Sequence, residues 1–387
     1  TSDQLDPDFV MRAEAEHLMQ QVIGEFLRRD IQLAILVPPP RAVIAGQKIV
    51  DETLGALDIY DVTAARQSFL RFLTQMRTAG AIVPDLMQVG LAEDPTAYYF
   101  RRDTHWTNRG AARSALALAR DLGRAPGFTL EDIESPEIFE ERGSLSDIVD
   151  ATCGLRDPAE ATPQFNYAAL PSSGGAGLLT DNEEDLPGTI LFGTSFSDRY
   201  RRDQYQVADA LSSALGVELI NSSVSGGGLI GPMEAFALSG GFDEAAPELI
   251  IWEFPYTEVP QSSALRQLLG TLRARGSDVI AREIATPDEG KIISQLPVGD
   301  QNADLLHIRF SASDIPWIKV DLIFPDGRRK TISLRRKSAM ARYGQFADWW
   351  MALGVSGVTR PERLVLRIDP QFSSVDAEVS LRSFEMR

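Results

Sequence analysis

Thr189-Ile190-Leu191-Phe192-Gly193-Thr194-Ser195-Phe196-Ser197 is the stretch whose reading decides the fold. An apolar run ends in a turn of small residues with Ser195 at its tip, the pattern of a buried strand feeding a tight turn. Ligands of parallel α/β sheets gather at the C-terminal ends of the strands. A serine placed there can project its hydroxyl and leave its own amide free to stabilise an oxyanion. Taken alone, it fits a helix cap or an ordinary turn equally well. The segment is not the Gly-x-Ser-x-Gly elbow of α/β-hydrolases, because position 197 is serine.

Upstream, Asp103-Thr104-His105-Trp106 holds one of only three histidines in the chain. In a bent loop Asp103 can turn back on His105, fixing its tautomer and stabilising its charged form. A loop histidine beside a capping aspartate is the plainer alternative. His17, on an amphipathic helix, and His307, inside a C-terminal strand, make poorer bases. Asp103, His105 and Ser195 together are the parts that turn a hydroxyl into a nucleophile.

Around these motifs the chain alternates helices and strands. Helical spacing is expected over 9–29, 63–78, 109–122, 203–215, 232–239 and 261–274, with Thr107 or Asn108 capping the third. Buried strands are expected over 31–37, 189–193, 217–221 and 249–254, with shorter extended pieces at 81–83 and 86–89. Residues 124–187, rich in Pro, Gly, Ser and acid, read as an irregular insertion of the lid or binding-loop kind. From 276 the rhythm changes to short strands over 279–285, 305–311, 318–324, 329–334, 363–368 and 377–384. The fold class is therefore α/β: a mainly parallel sheet flanked by helices over 1–275, then a small β-sandwich over 276–387.

Composition narrows the function. No apolar run approaches the length of a membrane span, and a sequence opening at Thr1 without a signal-peptide pattern is compatible with a leader already removed. Cys153 is the only cysteine, which excludes an intramolecular disulfide, a zinc finger and dithiol redox chemistry. It falls in a Gly/Pro/Asp-bearing loop with no nearby histidine to activate it. A net charge of −17 argues against a nucleic-acid binder. Residues 276–387 carry 16 Lys/Arg against 15 Asp/Glu, so almost all the negative charge lies in the first 275 residues. The second part is thus less repulsive to an anionic partner, although a different surface composition explains the split equally well.

The two motifs, followed by Ile250-Ile251-Trp252-Glu253-Phe254-Pro255, resemble the alginate O-acetyltransferase family, periplasmic proteins with an SGNH-hydrolase-like domain. The likeness covers roughly residues 30–260 in order and spacing. The Asp-x-His motif precedes the serine as in that family, whereas ordinary SGNH esterases have the serine near the N-terminus and the Asp-x-x-His near the end. The strand-rich C-terminus looks like the AlgX-like arrangement, which adds a carbohydrate-binding module, rather than the membrane-anchored one made of the catalytic domain alone. The resemblance implies Ser195 as nucleophile, His105 as base and Asp103 as its orienter. The Ser195 amide is one oxyanion donor, with Gly227 and Gly228 candidates for a second; no asparagine block of the SGNH type stands out.

Further candidates are weaker, each with a solvated-surface or core alternative. Arg199, within Arg199-Tyr200-Arg201-Arg202, and Tyr256 could touch an anionic sugar. In the C-terminal part Arg335 and Arg336, with Trp349 and Trp350, combine basic and aromatic groups of the kind that hold acidic sugars. The expected activity is O-acetylation of a secreted polysaccharide, alginate or a related polymer, through an acetyl-serine, with no metal or organic cofactor. A monomer is expected. The resemblance also implies a periplasmic setting, a membrane-bound acetyl-donating partner and contact with export-complex proteins. Two alternatives stay open: a carbohydrate esterase using the same triad, and a non-catalytic glycan-binding scaffold.

Overall fold

Apolar runs far apart in the chain meet as one parallel sheet in the computed structural model, which describes residues 8–52, 60–92, 95–156, 158–167, 188–198, 206–298, 302–312, 314–343, 346–353 and 361–384. Those residues form two compact units. The first takes Thr1–Val10, Asp30–Ser225 and Ala245–Val259. Its strands are β1 (Gln32–Leu36), β2 (Glu134–Glu141), β3 (Glu160–Phe165), β4 (Thr189–Phe192), β5 (Ile220–Asn221) and β6 (Leu249–Glu253). Four of them make the parallel sheet in the order β1-β6-β4-β5. β4 and β6 are buried at every position, as strands covered on both faces must be. Leu33, Ile190 and Ile250 align across three neighbouring strands.

The helix after the aspartate–histidine motif runs Asn108–Asp121 and is capped by Thr107, whose hydroxyl accepts from the Gly110 amide at 3.0 Å. It packs against the helix Val207–Leu215. Two local expectations fail. The run 86–89 opens a helix, Leu86–Ala92, because Asp85 accepts from the Gln88 amide and starts a turn. A helix not anticipated, Arg41–Glu52, begins directly after Pro38-Pro39-Pro40, with the Val43 amide closing on the Pro40 carbonyl.

The region 124–187 is more ordered than its composition suggests wherever it is described. β2 and β3 pair antiparallel, with a register shift between Glu134 and Ile138. A helix, Ser144–Cys153, lies between them in sequence, so Cys153 is an exposed helix end rather than a loop residue. Alternation in β2 is hidden because both its faces carry acidic residues, and a strand pattern needs one apolar face to be legible.

The second unit takes Met11–Arg29, Gly226–Glu244 and Pro260–Arg387. Its strands are β7 (Ser277–Ala285), β8 (Lys291–Ile293), β9 (Leu305–Phe310), β10 (Trp317–Ile323), β11 (Arg329–Arg335), β12 (Asp348–Ala352), β13 (Arg363–Arg367) and β14 (Ala377–Phe384). They form two antiparallel sheets, β11-β10-β13-β8 and β12-β9-β14-β7. Ile318, Val320, Leu322 and Leu366 from the first join Leu306, Ile308, Met351 and Val379 from the second in one apolar core, as the sandwich expectation requires. The helices Ala13–Arg28 and Ser262–Arg273 belong to this unit. Arg266, almost fully buried, donates to Glu14 and to the Ala352 and Leu353 carbonyls, so its charge is paired and its donors used.

Trp349 is 1% exposed in that core, and truncating a buried tryptophan leaves a cavity. Trp349→Ala is expected to lower unfolding free energy by about 3–5 kcal/mol in chemical denaturation. Exposed Arg335→Ala is expected to change it by no more than about 0.5 kcal/mol.

Candidate active site

The segment Tyr98 to Thr107 closes on itself. The Thr107 amide donates to the Tyr98 carbonyl at 3.0 Å, and Tyr99 and Trp106 form an antiparallel bridge. Asp103 sits inside the bend. Its Oδ1 accepts from the His105 amide at 2.8 Å and from His105 Nδ1, while Oδ2 accepts from the Ser144 amide at 2.6 Å. Arg41 donates to the Arg101 and Asp103 carbonyls, and the Glu160 carboxylate accepts from the Arg101 and Arg102 amides at 2.8 and 2.6 Å. Gly143 allows the insertion to approach this closely. Its φ is +84°, and a Cβ there would stand 2.1 Å from the Arg102 carbonyl oxygen.

The serine turn is held from three sides. Trp106 Nε1 donates to the Phe196 carbonyl at 3.0 Å, Asn221 Nδ2 to the Ser197 carbonyl at 2.8 Å, and the Thr194 amide to Glu253 at 2.8 Å. The amides of Ser197 and Asp198 both donate to the Thr194 carbonyl at 3.0 Å. That arrangement leaves the Ser195 amide without a hydrogen-bond partner among the described residues. His105 Nε2 lies 2.9 Å from Ser195 Oγ, and the His105 ring packs on Phe196 with centroids 4.7 Å apart. The carboxylate on Nδ1 assigns the proton to that nitrogen, which makes Nε2 the acceptor for the serine hydroxyl.

Two carboxyls here titrate in opposite directions. Burial by itself would raise Asp103, but its hydrogen bond with His105, the His105 charge and the amides of Ser144 and His105 together hold it well below the usual carboxylate range. Burial pushes Glu253, at the C-terminal end of β6, up to about 7, with the Thr194 amide and the Ser197 and Thr194 hydroxyls only partly restoring the charged form. Among the described residues no group of three or more His, Cys, Asp or Glu side chains could hold a metal ion. No helix among them is long and apolar enough to cross a membrane.

The remaining candidates scatter. Tyr256 opens a short 3₁₀ turn after β6, edge-on to Phe9 at 6.4 Å. Burial raises its hydroxyl while the charge of Arg41 lowers it, so it lies within the field of the residue that braces the Asp103 loop. Arg199 lies outside the described residues. Gly227 and Gly228 fall in a turn of the second unit before the helix Gly231–Ser239, where the Lys337 side chain lies against Gly228. The picture of Arg336, Trp349 and Trp350 as an open sugar platform is corrected by their packing. Trp349 is in the core with Arg336 stacked over it at 4.1 Å. Arg336 also donates to Glu234 and to the Phe346 and Asp348 carbonyls. Trp350 is 8% exposed and stacks on His307, which is itself tied to Asp348 at 2.7 Å. His17 is bonded to Gln21 on its helix.

Arg335 is different. Alternation along β10 sends Ile318 and Val320 into the core and turns Trp317 and Lys319 to the other face of the sheet. Arg335 stands opposite Trp317, Arg367 opposite Lys319, and Lys291 opposite Arg367. Asp321, the acid on this face of β10, is buried and already accepts from Arg329, Thr331 and Arg367. The result is a basic face with an aromatic ring in it, which summed charge over the C-terminal part conceals.

A parallel sheet with a serine turn at one strand's end and an aspartate–histidine pair bonded to it defines a domain of the SGNH-hydrolase-like class. Residues 2–256 match the family model described as SGNH hydrolase-like domain, acetyltransferase AlgX, and the chain belongs to that family. It is 26% identical over 368 residues to the alginate biosynthesis protein AlgX of Pseudomonas fluorescens, covering 90% of this chain and 73% of that protein. It is 29% identical over 268 residues to the probable alginate O-acetylase AlgJ of Pseudomonas aeruginosa, covering 65% of each. The solved structure of Pseudomonas aeruginosa AlgX superposes with a TM-score of 0.73 at 22% identity, covering 98% of this chain and 91% of that one, and shows the fold.

Because Asp103 is held below its unfolded value, its charge stabilises the folded state above the ordinary aspartate range, and that contribution is lost as pH falls through the depressed folded value. The stability difference between the native chain and Asp103→Asn, measured by denaturant melts, is therefore expected to shrink as pH falls below the ordinary aspartate range.

Proposed function

We propose that the chain is a serine-dependent polysaccharide O-acetyltransferase, with residues 1–275 carrying the chemistry and 276–387 carrying a glycan-binding surface. The observation that carries the reading is the hydrogen-bond chain from Asp103 through His105 to Ser195. His105 takes the Ser195 proton as Oγ attacks the acetyl carbonyl, and the oxyanion forms against the Ser195 amide. His105 returns the proton to the departing donor oxygen, leaving acetyl-serine. A sugar hydroxyl then gives its proton to His105 as it attacks the acetyl carbon, and His105 passes that proton to Ser195 Oγ as the acetyl–serine bond breaks. Asp103 stays ionised and supports the imidazolium throughout, which its depressed titration favours.

The names of the relatives, alginate biosynthesis protein and probable alginate O-acetylase, support an acidic polymer as acceptor. So does the face of Arg335, Lys319, Arg367, Lys291 and Trp317, which suits carboxylates and sugar rings together. A periplasmic setting and an acetyl-donating membrane partner, which the family resemblance implies, are part of the same proposal.

Ser195→Ala is expected to lower acetyl-ester turnover by about 10⁴-fold or more while leaving polymer binding intact. With the native chain, adding a uronate oligosaccharide should divert acetyl from water to the sugar; acetate release that no glycan diverts would instead identify an esterase. Unchanged turnover in the variant would exclude the serine mechanism. Lys319→Ala with Arg335→Ala is expected to weaken binding to the acidic polymer at low salt and to flatten its salt dependence.

A further inference from the structure

The Trp-Glu-Phe-Pro segment takes part in the family likeness, yet the mechanism above gives Glu253 nothing to do. We infer that Glu253 is a positioning residue that sets the nucleophile turn, acting through the amide and hydroxyl of Thr194. The inference rests on the acyl-enzyme reading of Ser195 and goes beyond it by naming what orients that serine.

The geometry carries the argument. Glu253 is the last residue of β6, the strand that pairs with β4 on the register Phe192↔Trp252. Its side chain reaches the turn that follows β4, where Oε2 accepts the Thr194 amide at 2.8 Å and Oε1 the Thr194 hydroxyl at 3.1 Å. The Phe196 amide in turn donates to that hydroxyl oxygen at 3.3 Å. One carboxyl thus fixes the Gly193–Thr194 peptide and, through the hydroxyl, the Ser195–Phe196 peptide. The Ser197 and Asp198 amides fix the Thr194 carbonyl. With both neighbouring amides committed, the Ser195 amide is the one left to face a reacting carbonyl.

Space around the acid is closed. A Cβ added to Gly193 would lie 2.7 Å from Glu253 Oε2, 2.8 Å from Ser223 Oγ and 2.9 Å from Ser197 Cβ. The glycine therefore makes room for the carboxyl beneath the turn. Ser197 Oγ and Ser223 Oγ are buried beside it, and either can take the proton of a neutral carboxyl. Burial favours that neutral form up to about pH 7. Tyr99 is the titratable side chain coupled to Glu253 by charge, and burial keeps its phenol protonated. A glutamine reproduces a neutral carboxyl, with one acceptor for the Thr194 amide and donors for a serine oxygen. A methionine has the same length and neither capacity.

The test is the rate at which an acetyl-ester donor such as p-nitrophenyl acetate labels Ser195, followed as a burst and located by peptide mass spectrometry. Thermal melts and donor concentration series are run in parallel. Glu253→Met is expected to reduce the acetylation rate by about 10²-fold, the scale of an ångström-level misplacement, with the donor KM within about threefold and the melt showing a folded protein. Glu253→Gln is expected to recover the rate to within about tenfold of the native chain. Thr194→Val, which removes the hydroxyl but keeps the amide, is expected to fall between them and serves if the methionine variant does not fold. Labelling at the native rate in a folded Glu253→Met chain, or in Thr194→Val if only that folds, overturns the inference. No labelling of the native chain removes the acyl-enzyme reading and this inference with it.

Discussion

The site depends on a single aspartate with no conformational freedom left. Asp103 receives two backbone amides and an imidazole N–H, and one of those amides, from Ser144, comes from a segment more than forty positions away. A carboxylate so surrounded stays ionised in a nearly dry place, which is the state that holds an imidazole in one tautomer. The His105 ring is fixed on its other side by Phe196, one residue beyond Ser195. The bond from His105 Nε2 to Ser195 Oγ is thereby a consequence of packing rather than a chance approach of two loops.

The insertion between the two motifs belongs to this constraint. Its hairpin and helix supply Ser144, whose amide reaches the Asp103 carboxylate, and Gly143 and Glu160, which meet the backbone of the loop that carries it. Beneath the serine the parallel sheet does the corresponding task, with Asn221 from β5 and Glu253 from β6 holding the turn that leaves β4. The sheet order explains why. β4 lies between β6 and β5, so its C-terminal turn has a strand end on each side from which a side chain can reach it. Loop and turn are thus braced independently and joined by the His105–Ser195 and Trp106–Phe196 contacts.

Much of this could be read from residues alone. Apolar runs bounded by glycine and proline located β1, β4 and β6, and the change to short alternating strands located most of the sandwich. What escaped was chemistry that has no local signature. Ser144 and the Arg101 and Arg102 amides act through backbone groups that every residue carries. Glu253 stands in a motif that carries the family likeness, yet nothing in the sequence shows that its carboxyl is buried against the serine turn. Trp349 and Trp350 looked like sugar platforms because aromatic residues near arginines read the same whether the pair faces water or packs inside. β12 has no counterpart among the expected strands, because its two adjacent tryptophans read equally as core or as sugar-binding groups. Lys319 and Trp317 gained meaning only from register, which sets them beside Arg335 and Arg367 on one face.

The central claim is that Ser195 carries the acetyl group on its way to a sugar. Its most direct test is a chase. The native chain is acetylated with a labelled acetyl ester, freed of excess donor, and then given a uronate oligosaccharide, with the label on Ser195 and on the sugar followed by mass spectrometry. The account predicts label on the Ser195 peptide at the start and its transfer to the oligosaccharide as the serine signal decays. Acetylated sugar appearing without prior label on Ser195, or label leaving Ser195 only as acetate, would contradict it.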